Sequence, residues 1–223
     1  MKDVEEILVI APHPDDESLG CGGTIAMLTA LGKSVDVVLM TRGEWGVAGT
    51  PSDDPSEAVR LANTREAEVR AACRVLGVRD VVFLSGRDCR THQQSELVDE
   101  LITIAAARHY RRAFVCWPAD RHTDHRATFR WFQQALRHAP TIGSVWLYEV
   151  WSPLEPNTIV PIDAYVDAKR AAIAEHRSQL EVLNYLEGFL ALGAYRALLS
   201  PPSRYAEAFI VQPRDVVLSW NLN

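Results

Sequence analysis

The sequence predicts an α/β fold with a mostly parallel sheet sandwiched by helices, in a single domain that spans residues 1–223. Two observations carry this prediction. Apolar runs of strand length alternate with longer segments of helical periodicity over residues 5–150. No internal repeat, low-complexity stretch or linker interrupts the chain, and 223 residues suffice for one sizeable core.

The individual elements follow from runs of Val, Ile and Leu, which favour buried strands, and from apolar residues at helical spacing. Gly32 and Gly77 close the first two helices, as glycine commonly does. A Pro-Pro break separates a last helix from a last strand within 190–213. In chain order we expect strands at 5–11, 34–41, 80–85, 111–118 and 144–150, alternating with helices at 22–32, 56–76, 95–110 and 124–139.

Titratable residues collect where the predicted strands end. HPDDE (13–17) follows the first strand, TRGE (41–44) the second, SGRD (85–88) the third and PADRHTDH (118–125) the fourth. In parallel sheets, ligands bind beyond the carboxyl ends of the strands. These segments are therefore expected to meet at one edge of the sheet and to form the functional site.

The glycine cluster GCGGT (20–24) raises the alternative of a phosphate-binding loop of the dinucleotide type. In that motif the glycines directly follow the strand. Here residues 13–17 intervene, and three of them are acids that would repel a phosphate. We therefore expect the glycines to let the helix pack tightly beneath the loop.

Imidazoles and carboxylates from two separate segments indicate a metal site. His13 and Asp16 are three residues apart, close enough to bind one ion from a single turn. The second segment supplies His122, Asp124 and His125, of which one imidazole would bind the ion while the other faces the substrate. Histidine with carboxylate suits Zn²⁺, and three protein ligands leave a fourth position for water, as in catalytic zinc sites.

The remaining polar residues of the two segments suit proton transfer. Asp15 lies beside a ligand and is free to act as the general base. The non-ligating histidine, when protonated, would stabilise a developing oxyanion or protonate the leaving group. Asp124 would orient that imidazole, as carboxylates behind histidines commonly do.

The segments APHPDDESLGCGGTIA (11–26) and RHTDH (121–125) resemble the PIG-L/LmbE family of zinc-dependent N-acetylglucosaminyl deacetylases. TRGE, TREAEVRAACRVLGV (64–78) and KRAAIAEHRSQ (169–179) are similar to further family segments, so the resemblance extends to about residue 180. It implies a Rossmann-like (LmbE-like) fold, one Zn²⁺ per chain and hydrolysis of an acetamide on an amino sugar. It also implies a homo-oligomer, a trimer or hexamer.

Carried over by position, the resemblance implies a role for each residue of the two motifs. The zinc ligands are then His13, Asp16 and His125, the general base is Asp15, and His122 stabilises the tetrahedral intermediate with Asp124 behind it.

Two further residues are candidates for substrate binding. Arg65 falls on the apolar stripe of the helix at 56–76, where it either snorkels to solvent or a nearby acid, or reaches the site to contact substrate or orient Asp15. Asp88 follows the third strand at a position that contacts substrate in some relatives. Family members often have glycine after it, whereas this chain has Cys89, which leaves the loop conformation open.

Three aromatic or histidine positions are of secondary interest. Trp45 and Trp117 are candidates for stacking on a sugar ring, although tryptophans are more often core residues. His176 has apolar neighbours on a predicted helix, and we expect a structural role for it.

Composition restricts the class of protein. A net charge of −6 disfavours a nucleic-acid partner, and no apolar run reaches the roughly 18 residues of a membrane helix. Four cysteines without CxxC spacing indicate reduced thiols, and no signal peptide is recognisable, so we expect a cytoplasmic location.

These observations predict an enzyme that removes an N-acetyl group from an N-acetylglucosamine-containing small molecule. A zinc amidase acting on a non-sugar amide or thiol conjugate is one alternative, and a non-catalytic metal-binding domain is another. The loop at 45–56 and the segment after residue 180 are expected to determine the substrate, which the sequence does not identify.

Overall fold

The computed structural model describes residues 4–46 and 54–221, which form a seven-stranded sheet with helices packed around it. Its strands are β1 (Glu6–Ala11), β2 (Ser34–Thr41), β3 (Asp80–Gly86), β4 (Tyr110–Cys116), β5 (Ser144–Tyr148), β6 (Thr158–Pro161) and β7 (Ala206–Pro213). Its helices are α1 (Asp16–Ala30), α2 (Pro55–Val75), α3 (Leu97–Ala107), α4 (Thr123–Leu136), α5 (Val166–Glu175), α6 (Arg177–Leu180), α7 (Tyr185–Ala197) and α8 (Arg214–Ser219).

The sheet is mixed, with the strand order β3-β2-β1-β4-β5-β7-β6. The first five strands in this order are parallel, and β7 is antiparallel to both β5 and β6. α1, α2 and α5 pack against one another, and α3 packs against α4. Because crossovers between parallel strands are right-handed and the chain reverses direction after β3, these two groups are expected on opposite faces of the sheet. The prediction of a mostly parallel sheet sandwiched by helices is confirmed.

The direction in which the chain builds the sheet reverses between β1 and β4. From β1 it proceeds outward through β2 and β3, and it then returns to the other side of β1 with β4 and β5. The loops after β1 and β4 therefore leave in opposite directions and open a crevice at the carboxyl ends of these strands, which is where such sheets bind ligands.

The central strands form the core. Every side chain from Ile7 to Ala11 and from Val35 to Met40 is buried, as expected for strands covered on both faces. The one carboxylate among them, Asp36, is compensated because the Arg79 guanidinium and the Tyr110 hydroxyl donate to it. Most of the buried apolar side chains of the described residues form one continuous cluster.

The expected strands and helices of 5–150 agree with the structure to within three residues at each end, with one exception. We expected the first helix to start at residue 22, but α1 starts at Asp16 and has a non-helical residue at Cys21 (φ −143°). Beyond this kink, the carboxylate of Glu207 on β7 accepts the backbone N–H groups of Gly23 (2.9 Å) and Thr24 (2.7 Å). The expected start therefore coincides with the start of the second half of this kinked helix. That half is capped by the carboxylate of Glu207, which lies far away in the sequence.

Glycines on both sides of this kink let the helix pack closely against its neighbours. A Cβ atom on Gly20 would collide with the Tyr148 ring on β5, and one on Gly23 would lie 2.6 Å from Ile162 Cδ1. The expectation that the cluster serves close packing agrees with these contacts.

Several elements of the C-terminal half were not predicted, notably β6, which is only four residues long, and α8. The loop expected to shape the pocket, 45–56, includes 47–53, which lie outside the described residues. Among the helices of the described parts of the chain, none combines the length and apolar character needed to cross a membrane.

Candidate active site

The two predicted motif segments meet in the crevice between β1 and β4. His13 and Asp15 lie in the β1–α1 connection and Asp16 begins α1, while His122 and His125 lie at the start of α4. Asp15 occupies the N-cap position of α1 with φ 140°, a backbone conformation that costs a non-glycine residue about 1–3 kcal/mol. This strained turn places two carboxylates side by side at a helix N-terminus, where the helix dipole favours negative charge.

A cavity of about 530 Å³ opens at this point, a size suited to a small molecule. Asp124 and His125 do not line it and are completely buried (0% exposed). The other six residues that the sequence singled out all line it, namely His13, Asp15, Asp16, Arg65, Asp88 and His122.

Asp16 lies between two imidazoles. Its Oδ2 atom is 3.2 Å from His13 Nδ1 and 3.3 Å from His125 Nε2. Burial by itself would raise the pKa of Asp16, but the neighbouring His125 and His13 hold it well below its ordinary value. Burial likewise opposes the charged form of His125, yet Asp16 and Asp120 raise the pKa of His125 to about 9.

The donor atoms of this region fit a divalent cation. Single donor atoms of His13, His122 and His125 all lie within 4.8 Å of one another, and so do those of His13, Asp88 and Asp124. Both ring nitrogens of His125 are buried and have no well-formed hydrogen bond among the described residues. Buried imidazole nitrogens that face carboxylates and lack a well-formed hydrogen bond suit a divalent metal such as zinc.

Arg65 crosses from α2 to the Asp15 carboxylate. Its Nη2 donates to Asp15 Oδ2 (3.0 Å) and to the Pro14 carbonyl (2.7 Å), and its Nη1 donates to the Gly43 carbonyl (3.0 Å). Arg65 is 3% exposed, so it does not snorkel to solvent. Burial raises the pKa of Asp15 to about 6, although the Arg65 charge lowers it and the Asp16 charge adds to the rise.

His122 and Asp124 interact differently from the sequence-based expectation. The Asp124 carboxylate lies 3.2 Å from His13 Nε2, not on His122, and it accepts the backbone N–H of Cys89 (2.6 Å). Only the backbone N–H of Asp124 contacts His122, by donating to Nδ1 (3.2 Å). The reason is that His122 caps α4, so its ring faces the helix backbone.

The charge state expected of His122 also differs. Burial, together with the positive charges of His13 and His125, lowers the pKa of His122 to about 4. The ring is therefore neutral at pH 7, and since Nδ1 accepts a hydrogen bond, its proton lies on Nε2.

Asp88 joins the cluster from the end of β3. Its Oδ1 is 3.2 Å from His13 Nε2, and its Oδ2 accepts the Trp45 backbone N–H (3.0 Å). Its own backbone N–H donates to Glu44 (2.9 Å). Cys89 adopts φ 59°, the left-handed conformation that favours glycine. The loop thus keeps a glycine-type backbone in spite of the cysteine.

The sequence did not single out Asp120 as a site residue. Its Oδ1 lies 3.5 Å from His125 Nδ1 and accepts the His122 backbone N–H (2.8 Å), so it supports the His125 ring and the backbone of His122. The sequence feature that could have identified Asp120 is its place two residues before His122. Of the aromatic candidates, neither Trp45 nor Trp117 lines the cavity, whereas Trp151 does.

Fold and site together define the class of this protein. The profile of the PIG-L family, described as GlcNAc-PI de-N-acetylase, matches residues 8–136, more than half of the chain. The protein belongs to this family.

Individual relatives agree with this assignment. The uncharacterized deacetylase YaiS of Escherichia coli (strain K12) is 30% identical over 179 residues, covering 77% of this chain and 90% of that protein. Diacetylchitobiose deacetylase of Thermococcus kodakarensis is 29% identical over 232 residues, covering 95% of this chain and 84% of that protein. The structure of N,N'-diacetylchitobiose deacetylase from Pyrococcus horikoshii, complexed with its inhibitor MPG, matches with a TM-score of 0.83 at 27% identity and covers 100% of this chain and 89% of that one. The predicted family, LmbE-like fold and amidohydrolase class are confirmed.

Proposed function

We propose that this protein hydrolyses the N-acetyl group of an N-acetylglucosamine-containing small molecule, using one Zn²⁺ and Asp15 as the general base. The observation that carries the proposal is the position of Asp15. Its carboxylate lines the cavity, is held by Arg65, and stands beside a cluster of metal-donor side chains. The diacetylchitobiose deacetylases among its relatives support the substrate class.

We assign His13, Asp16 and His125 as the zinc ligands. Asp16 Oδ2 lies within 3.3 Å of a nitrogen of each histidine, so one ion can replace these contacts. His122 is the alternative third ligand, but it lines the cavity and its Nδ1 is engaged with the helix backbone, which favours a role toward substrate. When bound, Zn²⁺ supplies a Lewis acid that polarises a carbonyl and makes water more acidic.

Asp15 performs the proton transfers. It accepts a proton from the attacking water, whose oxygen bonds to the acetamide carbon. It then delivers that proton to the sugar nitrogen as the C–N bond breaks, which releases acetate and a free amine. The hydrogen bond from Arg65 fixes the orientation of this carboxylate.

His122 stabilises the tetrahedral intermediate as a neutral donor. Its Nδ1 accepts from the helix backbone, so Nε2–H is available to the carbonyl oxygen as that oxygen becomes negative. Asp124 orients the His13 ring, and Asp120 orients the His125 ring. Asp88 is assigned to binding the sugar hydroxyls because it lines the cavity. Arg65 acts on substrate through Asp15.

The test is acetate and amine release from N-acetylglucosamine, N,N'-diacetylchitobiose and N-acetylglucosaminyl conjugates, with N-acetylated amino acids and thiols for comparison. Protein of measured zinc content is required. Release from the sugars supports the proposal, and release only from the comparison amides would favour the non-sugar amidase. Bound zinc with no turnover on either group would favour a metal-binding domain. The predicted cytoplasmic location and the trimer or hexamer stay predictions, and light scattering tests the assembly.

A further inference from the structure

We infer that Glu17 and His176 form a buried pair that positions the general base by holding the backbone of Asp15. The inference rests on the proposed function for its catalytic meaning. The contacts themselves, which lie beneath the cavity and outside the metal-donor cluster, stand independently of it.

The first contact is a hydrogen bond from the Asp15 backbone to the side chain of Glu17, two residues further along the chain. The Asp15 backbone N–H donates to Glu17 Oε2 (3.1 Å), and the Ser18 hydroxyl donates to Glu17 Oε1 (2.6 Å). Glu17 is completely buried (0% exposed). Its carboxylate therefore accepts a hydrogen bond from the backbone of the turn, and Glu17 does not line the cavity.

The second contact brings in a distant part of the chain. His176 lies between α5 and α6, and its Nε2 is 3.4 Å from both Glu17 Oε1 and the Ser18 hydroxyl. The ring is 1% exposed, and its Nδ1 has no hydrogen-bond partner among the described residues. Nε2 thus makes the polar contacts of the ring, and it directs them to the turn that carries Asp15.

Asp15 needs such a support because its backbone is strained. At φ 140° a residue with a side chain stays in place only where surrounding contacts fix it. The Asp15 side chain makes no capping hydrogen bond to α1, since it is used by Arg65 instead. Arg65 fixes the carboxylate, and the Glu17–His176 pair fixes the peptide that carries it. If the pair is lost, the carboxylate shifts, and displacements of about 1 Å suffice to slow catalysis severalfold or more.

The test compares three variants of the zinc-loaded protein. His176→Leu removes the contact to Glu17 at similar volume, and His176→Gln retains an N–H donor. Ile173→Ala, three residues earlier on α5 and 0% exposed, is the matched control because it destabilises the same helix and leaves the side chains of His176 and Glu17 unchanged. The measurements are kcat, KM, zinc content and thermal stability.

In His176→Leu we expect kcat to fall about tenfold or more, while KM and zinc content stay nearly unchanged. His176→Gln should retain most of the wild-type rate. Ile173→Ala should lose stability and keep its kcat. Wild-type kcat in His176→Leu would overturn the inference. So would a kcat that falls equally in Ile173→Ala, because the effect would then be loss of stability alone.

A second readout does not need turnover. Amide hydrogen exchange at Asp15, followed by NMR, should become about tenfold faster in His176→Leu than in wild type and in Ile173→Ala. Unchanged exchange at this amide would overturn the inference even if the protein is an active deacetylase. If wild-type protein released no acetate, the proposed function would fail, while the exchange measurement would still decide whether the pair holds the turn.

Discussion

Arg65 Nη2 lies 3.0 Å from Asp15 Oδ2, and both side chains are nearly excluded from solvent. The same guanidinium donates to the carbonyls of Pro14 and Gly43. Gly43 has φ 67°, and a Cβ atom there would collide with the guanidinium. One side chain of α2 therefore joins the loops after β1 and β2 and orients the proposed base.

Replacing Arg65 should damage both stability and rate. Arg65→Met leaves the buried Asp15 carboxylate and the buried Pro14 carbonyl without the guanidinium that donates to them, so we expect about 3–5 kcal/mol less unfolding free energy. In protein that remains folded at low temperature, kcat should fall more than KM rises. Urea unfolding and steady-state kinetics measure the two effects, and Arg60→Met on the exposed side of the same helix is the control. Equal effects of the two variants would contradict the role given to Arg65.

Removing the base should leave the metal in place. In Asp15→Asn the amide can still accept from Arg65, but it cannot take a proton from water, so we expect kcat to fall about 10²- to 10⁴-fold. Zinc content, measured by atomic absorption, should stay at the wild-type value. An unchanged rate would rule out Asp15 as the base, and loss of zinc would make it a ligand.

The two possible ligand sets give different metal contents. His13→Ala should lose both zinc and activity, because His13 belongs to either set. His122→Ala should keep zinc and lose activity, because we assign its Nε2–H to the intermediate. A zinc-free His122→Ala protein would show that His13, His122 and His125 hold the ion in place of the set with Asp16.

The backbone at Cys89 predicts an unusual order of stabilities. Because φ is 59°, removing Cβ relieves strain of roughly 1–2 kcal/mol. Both Cys89→Ala and Cys89→Gly lose the thiol, so the comparison isolates Cβ. Chemical denaturation should find the glycine variant about 1 kcal/mol more stable than the alanine variant. The opposite order would mean that the loop has another conformation.

His176 predicts a pH-dependent contribution to stability. Burial alone would lower the pKa of His176, but the contact with Glu17, helped by Asp15 and opposed by Arg65, raises it above the ordinary 6.5. A raised native pKa stabilises the fold below pH 6.5, and this contribution disappears as the pH rises through the native pKa. The stability difference between wild type and His176→Gln should therefore be larger at about pH 5.5 than at about pH 9. A difference that grows with pH would contradict the assigned charge state.

The sequence predicted the elements that have a local cause. β2 was predicted at its observed residues because apolar β-branched residues leave little alternative. The rule that ligands bind at the carboxyl ends of parallel strands brought Asp16 and His125, 109 positions apart, into one site. Arg65 was suspected because a charged residue on an apolar helix stripe requires a partner.

What the sequence could not provide depends on contacts between distant segments. The predicted start of α1 was wrong because residues 16–20, before the kink at Cys21, are already helical. The predicted start matches only the second half of the helix, which is capped by Glu207, a contact that no local pattern reveals. The partner of Asp124 differs from the expectation because capping turns His122 toward the helix backbone. His176 was expected to be structural, and its position beneath Asp15 becomes visible only when α5 and α1 pack together.

The central claim is metal-dependent deacetylation with Asp15 as the base. Its most direct test is acetate release from N,N'-diacetylchitobiose and related N-acetylglucosaminides by chelated protein, by the same protein after zinc is restored, and by zinc-loaded Asp15→Asn. We predict release at the full rate only from the zinc-restored wild type, with one free amine for each acetate. Release at the wild-type rate by the chelated protein or by Asp15→Asn, or no release by the zinc-restored protein from any of these sugars, would contradict the account.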